Sequence, residues 1–301
     1  MDVDKLIRDD EVHRDVYVSE NVFGLEMDRI FGTAWVYIGH DSQIPQPGDY
    51  WTTQVGLESV VMTRGKAGEI NIFYNRCPHK GARIAGDGSG HTKGLFRCPY
   101  HAWTFNLDGS LRGVPYLEGY ANTGFDLSDP RFSLRKVARV ASYRGFVFAS
   151  LSEQGADFDA FIAGIKSSLD NFCDRAPDGT VSVSGGIFRV IQRSNWKIFF
   201  ENLNDTGHPI ATHESSYRAA RQYSDEVLDG DLPFELHIID GNGAPPKFWS
   251  DLDLHAFDFG HSYMTAIFNA PDDPLSRQYF QSLADKLGEE RAEEILAVNR
   301  H

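Results

Sequence analysis

Cysteine is scarce in this sequence of 301 residues, which contains only three, at positions 77, 98 and 173. Three cysteines are too few for the disulfide framework that stabilises small secreted domains. Long apolar runs are also missing, since no stretch of about 18 apolar residues occurs. The amino terminus carries too many charges for a secretory signal. We therefore expect a cytoplasmic protein with no membrane partner.

Positive charge is the second deficit. Lys and Arg number 29 against 43 Asp and Glu, so the formal net charge is −14. Nucleic acids and anionic membranes attract basic surfaces, and this balance argues against either as a partner. An acidic surface would suit a basic redox partner, although a charged surface that only confers solubility is the simpler interpretation. The length allows two domains of ordinary size.

The most informative stretch runs from Cys77 to His101. Cys77 and His79 stand one residue apart, and Cys98 and His101 follow two residues apart. Zinc accepts two Cys and two His, but its small folds commonly pair Cys with Cys. In a Rieske [2Fe–2S] centre one iron takes two Cys and the other takes two His. One Cys and one His in each loop favour the Rieske centre, and zinc is the alternative.

This stretch and the AWTFNLDG sequence at 102–109 resemble the Rieske domain of the alpha (large) subunit of aromatic-ring-hydroxylating oxygenases. The segments at 35–50 and 145–151 resemble the first and last strands of that domain. Two residues depart from the family pattern, because Lys80 replaces the usual Arg and Ala102 stands where Gly is frequent. All four proposed cluster ligands are nevertheless present.

A second group of candidate ligands contains Asp205, His208 and His213. Two His and one carboxylate on one face of iron leave positions open for dioxygen and substrate, which is the non-haem Fe(II) arrangement. On a regular helix the two His would point about 140° apart. We therefore predict an irregular helix at Pro209, which lacks a backbone donor. Two His in a loop are more often surface or core residues, and the upstream Rieske pattern is what favours iron here.

The resemblance implies that the segment 195–213 holds the mononuclear iron through His208 and His213. In that family the Asp at the position of Asp205 hydrogen-bonds a ligand His in its own subunit and a Rieske His, here matched by His101, across the subunit interface. Asn202 matches the usual residues before the ligands and is a further catalytic candidate. Gly207 departs from the pattern, since many members carry Tyr there.

The family's third iron ligand is an Asp far downstream in a carboxy-terminal helix. No Asp of this sequence stands in the expected context, so we expect that ligand beyond His301 and expect the sequence to lack its carboxy-terminal part. A complete protein with a two-His site is the alternative.

We predict an α+β fold in three parts. These are a helical lead-in, an antiparallel β Rieske domain, and a mixed α/β, helix-grip-like catalytic domain built on an antiparallel sheet, over residues 1–34, 35–152 and 153–301. Ser19 is the expected cap of the first helix, and LDG at 107–109 predicts a turn. Helical spacing predicts helices over 158–171 and 276–301, and alternation predicts a strand over 181–193.

The function implied by the resemblance is that of a terminal oxygenase component. Electrons from NAD(P)H would arrive through a separate reductase, with or without a ferredoxin, and O₂ would hydroxylate an aromatic substrate, with ring cis-dihydroxylation favoured. Arg218 and Arg221 would bind a carboxylated ring, and a solvated helix face is the alternative for both. The family assembles as a head-to-tail homotrimer, α3 or α3β3.

Three other functions compete with this hypothesis. A Rieske monooxygenase or O-demethylase would use the same two centres. A Rieske electron carrier would need only the iron–sulfur cluster. A zinc-stabilised binding protein would need neither of the two iron centres.

Overall fold

The computed structural model describes residues 2–176, 178–183, 185–227, 239–240, 243–244, 252–267 and 274–300. The chain divides into two compact units, and each is described by itself. The first comprises Met1–Ala163 and Asp178–Ile191, and the second comprises Gly164–Pro177 and Gln192–His301. The domain boundaries predicted at residues 34 and 152 stay predictions. Within the described ranges, no helix has the length and apolar character needed to cross a membrane.

The first unit begins with short helices. A 3₁₀ turn, α1 and α2 are followed by one π-helical turn, at Val3–Leu6, Asp15–Val18, Glu20–Glu26 and Met27–Phe31. Ser19 caps α2 as predicted, because its hydroxyl accepts a hydrogen bond from the Val22 amide. Such a bond satisfies one of the free N–H groups at a helix start.

Ten short strands follow and form three antiparallel sheets, β1-β10-β9, β4-β3-β2-β5 and β6-β7-β8. The strands β1 to β10 are Val36–His40, Asp49–Val55, Glu58–Arg64, Ile70–Tyr74, Ser89–His91, Phe96–Arg97, Thr104–Phe105, Leu111–Gly113, Arg139–Tyr143 and Phe146–Ser150. Short 3₁₀ turns occupy Asp41–Gln43, Leu117–Tyr120 and Pro130–Phe132, and α3 covers Phe158–Ile162.

The core of this unit lies directly beneath the loops that carry the proposed cluster ligands. Phe73, Phe96 and Phe105 pack in one buried group that also contains both Cys77 and Cys98. Each phenyl ring removed from water contributes about 1.5–3 kcal/mol. The predicted turn at 107–109 is confirmed, since Gly109 has a φ of 88° and its amide donates to the Asn106 carbonyl at 3.0 Å. This turn joins β7 to β8.

The second unit combines helices with one small sheet. Its helices α4 to α9 are Lys166–Asp174, Trp196–Asn204, Pro209–Thr212, Glu214–Val227, Pro274–Leu287 and Glu289–Ala297, with a 3₁₀ turn at Asp258–Gly260. The strands β11 to β13, at Asp253–Ala256, Ser262–Ile267 and Val298–Arg300, form an antiparallel sheet. Helices separated from antiparallel sheets confirm the predicted α+β class.

Three local predictions need correction. The strand predicted over 181–193 is wrong, because the described residues of that range form no strand. They lie instead along β2, where the Arg189 guanidinium donates to the Thr52 carbonyl at 2.7 Å. The helix predicted over 158–171 is interrupted between α3 and α4, and the carboxy-terminal helix is divided at Gly288, whose φ is 88°.

Candidate metal centres

The first candidate loop follows β4 and closes on Cys77. The Cys77 amide donates to the Ala82 carbonyl at 2.8 Å, and the Gly81 amide donates to the Cys77 carbonyl at 2.9 Å. Gly81 has a φ of 76°, in the left-handed region that glycine adopts without steric cost. The turn also directs the amides of His79 and Lys80 at the Cys77 sulfur.

The second loop follows β6 and repeats this pattern around Cys98. The Cys98 amide donates to the Trp103 carbonyl at 2.8 Å, and the Ala102 amide donates to the Cys98 carbonyl at 3.0 Å. Ala102 occupies the position of Gly81 and also has a positive φ, of 55°. Two loops of one backbone design therefore present a Cys and a His each from the ends of neighbouring sheets.

The two cysteine side chains lie together in the core. Cys77 is 2% exposed and Cys98 is 3% exposed, and the two thiols contact each other. Burial raises the pKa of the Cys77 thiol to about 11, and the Cys98 thiol adds to that rise, whereas the His79 amide that donates to the sulfur opposes it. Two adjacent buried thiols without a disulfide are suited to hold metal.

The two histidine rings, of His79 and His101, form the second pair of candidate ligands. The His79 and His101 ring centroids lie 4.6 Å apart, and the His79 ring stacks on the Trp103 indole at 4.8 Å. Burial lowers the pKa of His79, and the neighbouring His101 acts in the same direction. His79 Nδ1 is buried and has no hydrogen-bond partner among the described residues. A neutral imidazole with an unpartnered ring nitrogen fits a metal ligand.

The pairing distinguishes two kinds of metal centre. A single zinc ion would gather all four side chains around one point, but no three His, Cys, Asp or Glu side chains of the described part of the chain converge in that way. One Cys pair and one separate His pair instead fit a two-iron cluster, in which each pair would hold one iron. The residues present therefore fit a Rieske cluster better than zinc.

The second candidate centre lies where one helix is broken twice. Helix α5 ends at Asn204, His208 and Pro209 start the short α6, and His213 stands between α6 and α7. The irregularity predicted at Pro209 is confirmed. The break brings the ring centroids of His208 and His213 to 5.3 Å from each other.

Two polar side chains contact the two nitrogens of the His208 ring. Asp205 Oδ2 lies 3.5 Å from His208 Nδ1, and Asn202 Nδ2 lies 3.2 Å from His208 Nε2. The Asn202 amide N–H at Nε2 favours the tautomer with the proton on Nδ1, and Nδ1 is buried without a hydrogen-bond partner among the described residues. The Gly207 amide holds Asp205 Oδ1 at 2.7 Å and, with His208, lowers the pKa of Asp205. A His presented in this way fits a metal ligand.

Comparison with known proteins agrees with both centres. Residues 34–138 match the family model of the Rieske [2Fe-2S] domain. The toluate 1,2-dioxygenase subunit alpha of Pseudomonas putida is 35% identical over 310 residues, which cover 99% of this chain and 65% of that subunit. This chain contains a Rieske domain and is homologous to the alpha subunits of aromatic-ring-hydroxylating dioxygenases. An N,N-dimethyl phenylurea N-demethylase subunit alpha of Sphingobium sp. is 37% identical, over 71% of this chain and 46% of that protein.

A solved structure is also similar to nearly the whole of this chain. Naphthalene 1,2-dioxygenase from Rhodococcus sp., bound to indole, is 28% identical and superimposes with a TM-score of 0.75. The match covers 96% of this chain and 62% of that one. The chain thus spans about half to two thirds of the length of the relatives that it matches.

The two arginines predicted to bind substrate lie on α7, and both form ion pairs. Arg218 pairs with Glu214 on the same helix. Arg221 pairs with Asp240 and donates to the Gly243 carbonyl at 3.2 Å. Their proposed role would require these pairs to exchange for a substrate carboxylate, and it stays a prediction.

Sequence reasoning missed one residue, Asn75, which shapes the first candidate ligand loop. Asn75 is 3% exposed, and its side-chain oxygen accepts hydrogen bonds from the amides of Ile84 and Ala85, both at 2.9 Å. Its side-chain nitrogen donates to the Ala85 carbonyl at 3.0 Å. This amide therefore ties the chain after the first loop to the end of β4. Only its position two residues before Cys77 gave a signal in the sequence.

Proposed function

We propose that this chain is part of a terminal oxygenase that hydroxylates an aromatic substrate with O₂. The electrons come from NAD(P)H through a separate reductase, directly or by way of a ferredoxin. One observation carries the proposal: a paired Cys and His site and a broken-helix His site occur in one chain that is similar to a dioxygenase alpha subunit over 99% of its length. An electron carrier would need only the first site.

The residues of the first site divide between two irons. Cys77 and Cys98 would hold one iron, and His79 and His101 would hold the other. Stacking on the Trp103 indole orients the His79 ring, while the buried thiols keep water from the sulfur side. The cluster and the mononuclear iron, when bound, supply one-electron transfer and open coordination positions for dioxygen, respectively.

The residues of the second site prepare two imidazoles for one metal. His208 and His213 would be the ligands, with the proton of His208 on Nδ1, 3.5 Å from Asp205 Oδ2, so that Nε2 would be available to the metal. The Asn202 amide N–H contacts that nitrogen at 3.2 Å. Asp205 also bridges to His101 of a neighbouring subunit, so that proton and electron transfer between the two centres are coupled.

The substrate is an aromatic ring, and ring cis-dihydroxylation is the favoured reaction. The toluate 1,2-dioxygenase relative is named for an aromatic acid, which supports a carboxylated substrate and gives Arg218 and Arg221 a partner. The similarity to a phenylurea N-demethylase supports monooxygenation or demethylation as the second candidate. The products distinguish the two reactions, since dihydroxylation leaves both oxygen atoms of O₂ on the ring.

The assembly that suits these roles is a head-to-tail homotrimer, α3 or α3β3, in the cytoplasm. A heterologous ring of this kind brings different surfaces of successive subunits together. Gel filtration combined with light scattering tests it, and an active monomer would exclude the bridge from Asp205 to His101.

Metal and sulfide analysis of protein purified without oxygen is the decisive test. The proposal predicts red-brown protein with three irons and two acid-labile sulfides per chain. Two irons per chain would indicate an electron carrier, and colourless protein with zinc would indicate a zinc-stabilised binding protein. Uptake of ¹⁸O₂ into toluate then tests the oxygenase step directly.

A further inference from the structure

The carboxy-terminal end of α5 carries the two polar groups that lie beside the His208 ring. Asn202 belongs to the last turn of α5, and its side-chain nitrogen lies 3.2 Å from His208 Nε2. Asp205 follows the helix in an extended conformation, and its Oδ2 lies 3.5 Å from His208 Nδ1. The position of this helix end therefore decides how far both groups stand from the ring.

Asn204 lies on the opposite side of the same helix end. Residues of an α-helix turn by about 100° each, so Asn202 and Asn204 lie about 160° apart around α5. Asn204 is half-buried, whereas Asn202 and Asp205 are exposed. The Asn204 side-chain oxygen accepts a hydrogen bond from the Ser262 hydroxyl at 2.9 Å. Because Ser262 is the first residue of β12, this bond attaches the helix end to the sheet.

The Asn204 amide is fixed at both of its polar atoms. Its nitrogen donates to the Phe200 carbonyl at 2.9 Å, one turn earlier in α5. The backbone bond that closes the helix is longer, since the Asp205 amide lies 3.4 Å from the Asn202 carbonyl oxygen. Helix ends fray where backbone bonds run out. The side chain of Asn204 therefore holds an end that its own backbone closes weakly.

The sheet side of this bond is well supported. Ser262 pairs with Ala256 of the neighbouring strand β11. The ring of the next residue, Tyr263, lies 4.8 Å from the His255 ring and 5.3 Å from the Phe257 ring, measured between centroids. A strand pair and two ring contacts keep this strand in place. The Ser262 hydroxyl is thus a fixed point to which the helix end is tied.

We propose that the hydrogen bond from Ser262 to Asn204 positions the end of α5 against the mononuclear iron site. The inference rests on the proposed function, in which His208 is an iron ligand. Ser262 and Asn204 are positioning residues, because they act through Asn202 and Asp205 and do not touch the metal. Without the Ser262 hydroxyl the helix end is released, and the Asp205 carboxylate no longer keeps its distance from His208 Nδ1.

The first test measures how firmly the iron is held, separately from turnover. Protein loaded with cluster and iron is mixed with a colorimetric Fe(II) chelator without oxygen, and release of the third iron is followed. Ser262→Ala should release this iron about three to ten times faster, the fold-change that corresponds to loss of one hydrogen bond. Ser262→Thr keeps a hydroxyl and should release iron at about the wild-type rate. The control Ser282→Ala removes a hydroxyl that donates to the Tyr279 carbonyl on α8, and it should also match the wild type.

A double-mutant cycle shows whether Ser262 and Asn204 act through one bond. Asn204→Ala should speed iron release at least as much as Ser262→Ala, and the double variant should release iron no faster than Asn204→Ala alone. A spectroscopic measurement complements the cycle. The electron paramagnetic resonance spectrum of the ferrous protein with nitric oxide as probe should change its rhombicity in Ser262→Ala and regain the wild-type shape in Ser262→Thr. General destabilisation would not alter that shape.

Several outcomes would overturn the positioning role. These are wild-type iron release and an unchanged spectrum in Ser262→Ala, effects of the two alanine variants that multiply in the double variant, or equal acceleration by Ser262→Ala and Ser282→Ala. The proposed function fails in a different way. Wild-type protein with two irons per chain contradicts the mononuclear site and with it this inference, whereas three irons with unchanged release in Ser262→Ala contradict only the positioning role.

Discussion

Replacing Ala102 by glycine should stabilise the second cluster loop. Ala102 has a φ of 55°, the left-handed conformation that an alanine Cβ resists. The matching residue in the first loop is Gly81, with a φ of 76°. The two loops share their backbone hydrogen bonds, so one contains the residue that the turn favours and the other does not.

The expected gain in the free energy of unfolding is the difference between two opposing effects. The left-handed conformation costs alanine about 1–2 kcal/mol. Glycine loses about 0.4–1 kcal/mol more conformational free energy than alanine on folding. The net stabilisation of Ala102→Gly is therefore about 0.5–1 kcal/mol, which corresponds to unfolding about two to five times slower if the loop opens at the transition state.

Loss of visible circular dichroism in urea without oxygen measures that rate, because cluster release makes unfolding irreversible. Gly81→Ala is the matched reverse change. A Cβ built at Gly81 meets nothing within 4 Å, so this variant carries only the backbone cost and should unfold faster. If Ala102→Gly unfolds at the wild-type rate or faster, the backbone of Ala102 is not strained and the reasoning fails.

Three further substitutions test the other roles. Asn75→Ala leaves two buried amides unpaired and should lower the free energy of unfolding by about 2–5 kcal/mol, measured as faster loss of the cluster in urea. Asn71→Ala breaks only the side-chain contacts to Glu69 and Lys136 and should lower it less. An equal loss in the two variants would contradict the role of Asn75. His208→Ala should lower the iron content from three to two per chain without altering the cluster spectrum. The control His255→Ala should retain three irons per chain. An unchanged iron content in His208→Ala would exclude His208 as a ligand. Asp205→Asn should retain all iron but lower turnover by about 10–100-fold. The control Asp258→Asn should behave as the wild type. Full turnover in Asp205→Asn would contradict the proposed bridge from Asp205 to His101.

Features that depend on neighbours in sequence were predictable here. Ser19 precedes an apolar helix and caps it, and Pro209 stands where the helix breaks. The spacing of Cys77 and His79, and of Cys98 and His101, indicated two matching loops, which the backbone bonds confirm. In each case the deciding interaction spans only a few residues, so local chemistry was sufficient.

Features that depend on a distant partner were not predictable. The alternation over 181–193 has the period of a strand, but a strand needs a neighbouring strand for its hydrogen bonds. The Val183 amide instead donates to the Ser42 hydroxyl at 2.9 Å, and Arg189 lies over the Trp51 ring at 4.4 Å. Apart from its position before Cys77, Asn75 gave no signal for the same reason, because its partners follow nine and ten residues later in a loop without regular structure.

The two centres place their ligands in opposite physical settings, and this difference follows from their proposed tasks. Cys77 and Cys98 are fixed in a core of phenyl rings, so a bound cluster would be held with little reorganisation and closed to substrate. His208 and His213 stand at helix ends, and Asp205 beside them is half exposed. Of the described residues, none joins this pair as a third metal-binding side chain. A rigid site whose iron positions were all filled by protein and sulfide would suit electron transfer, and a site with open positions would suit binding of dioxygen.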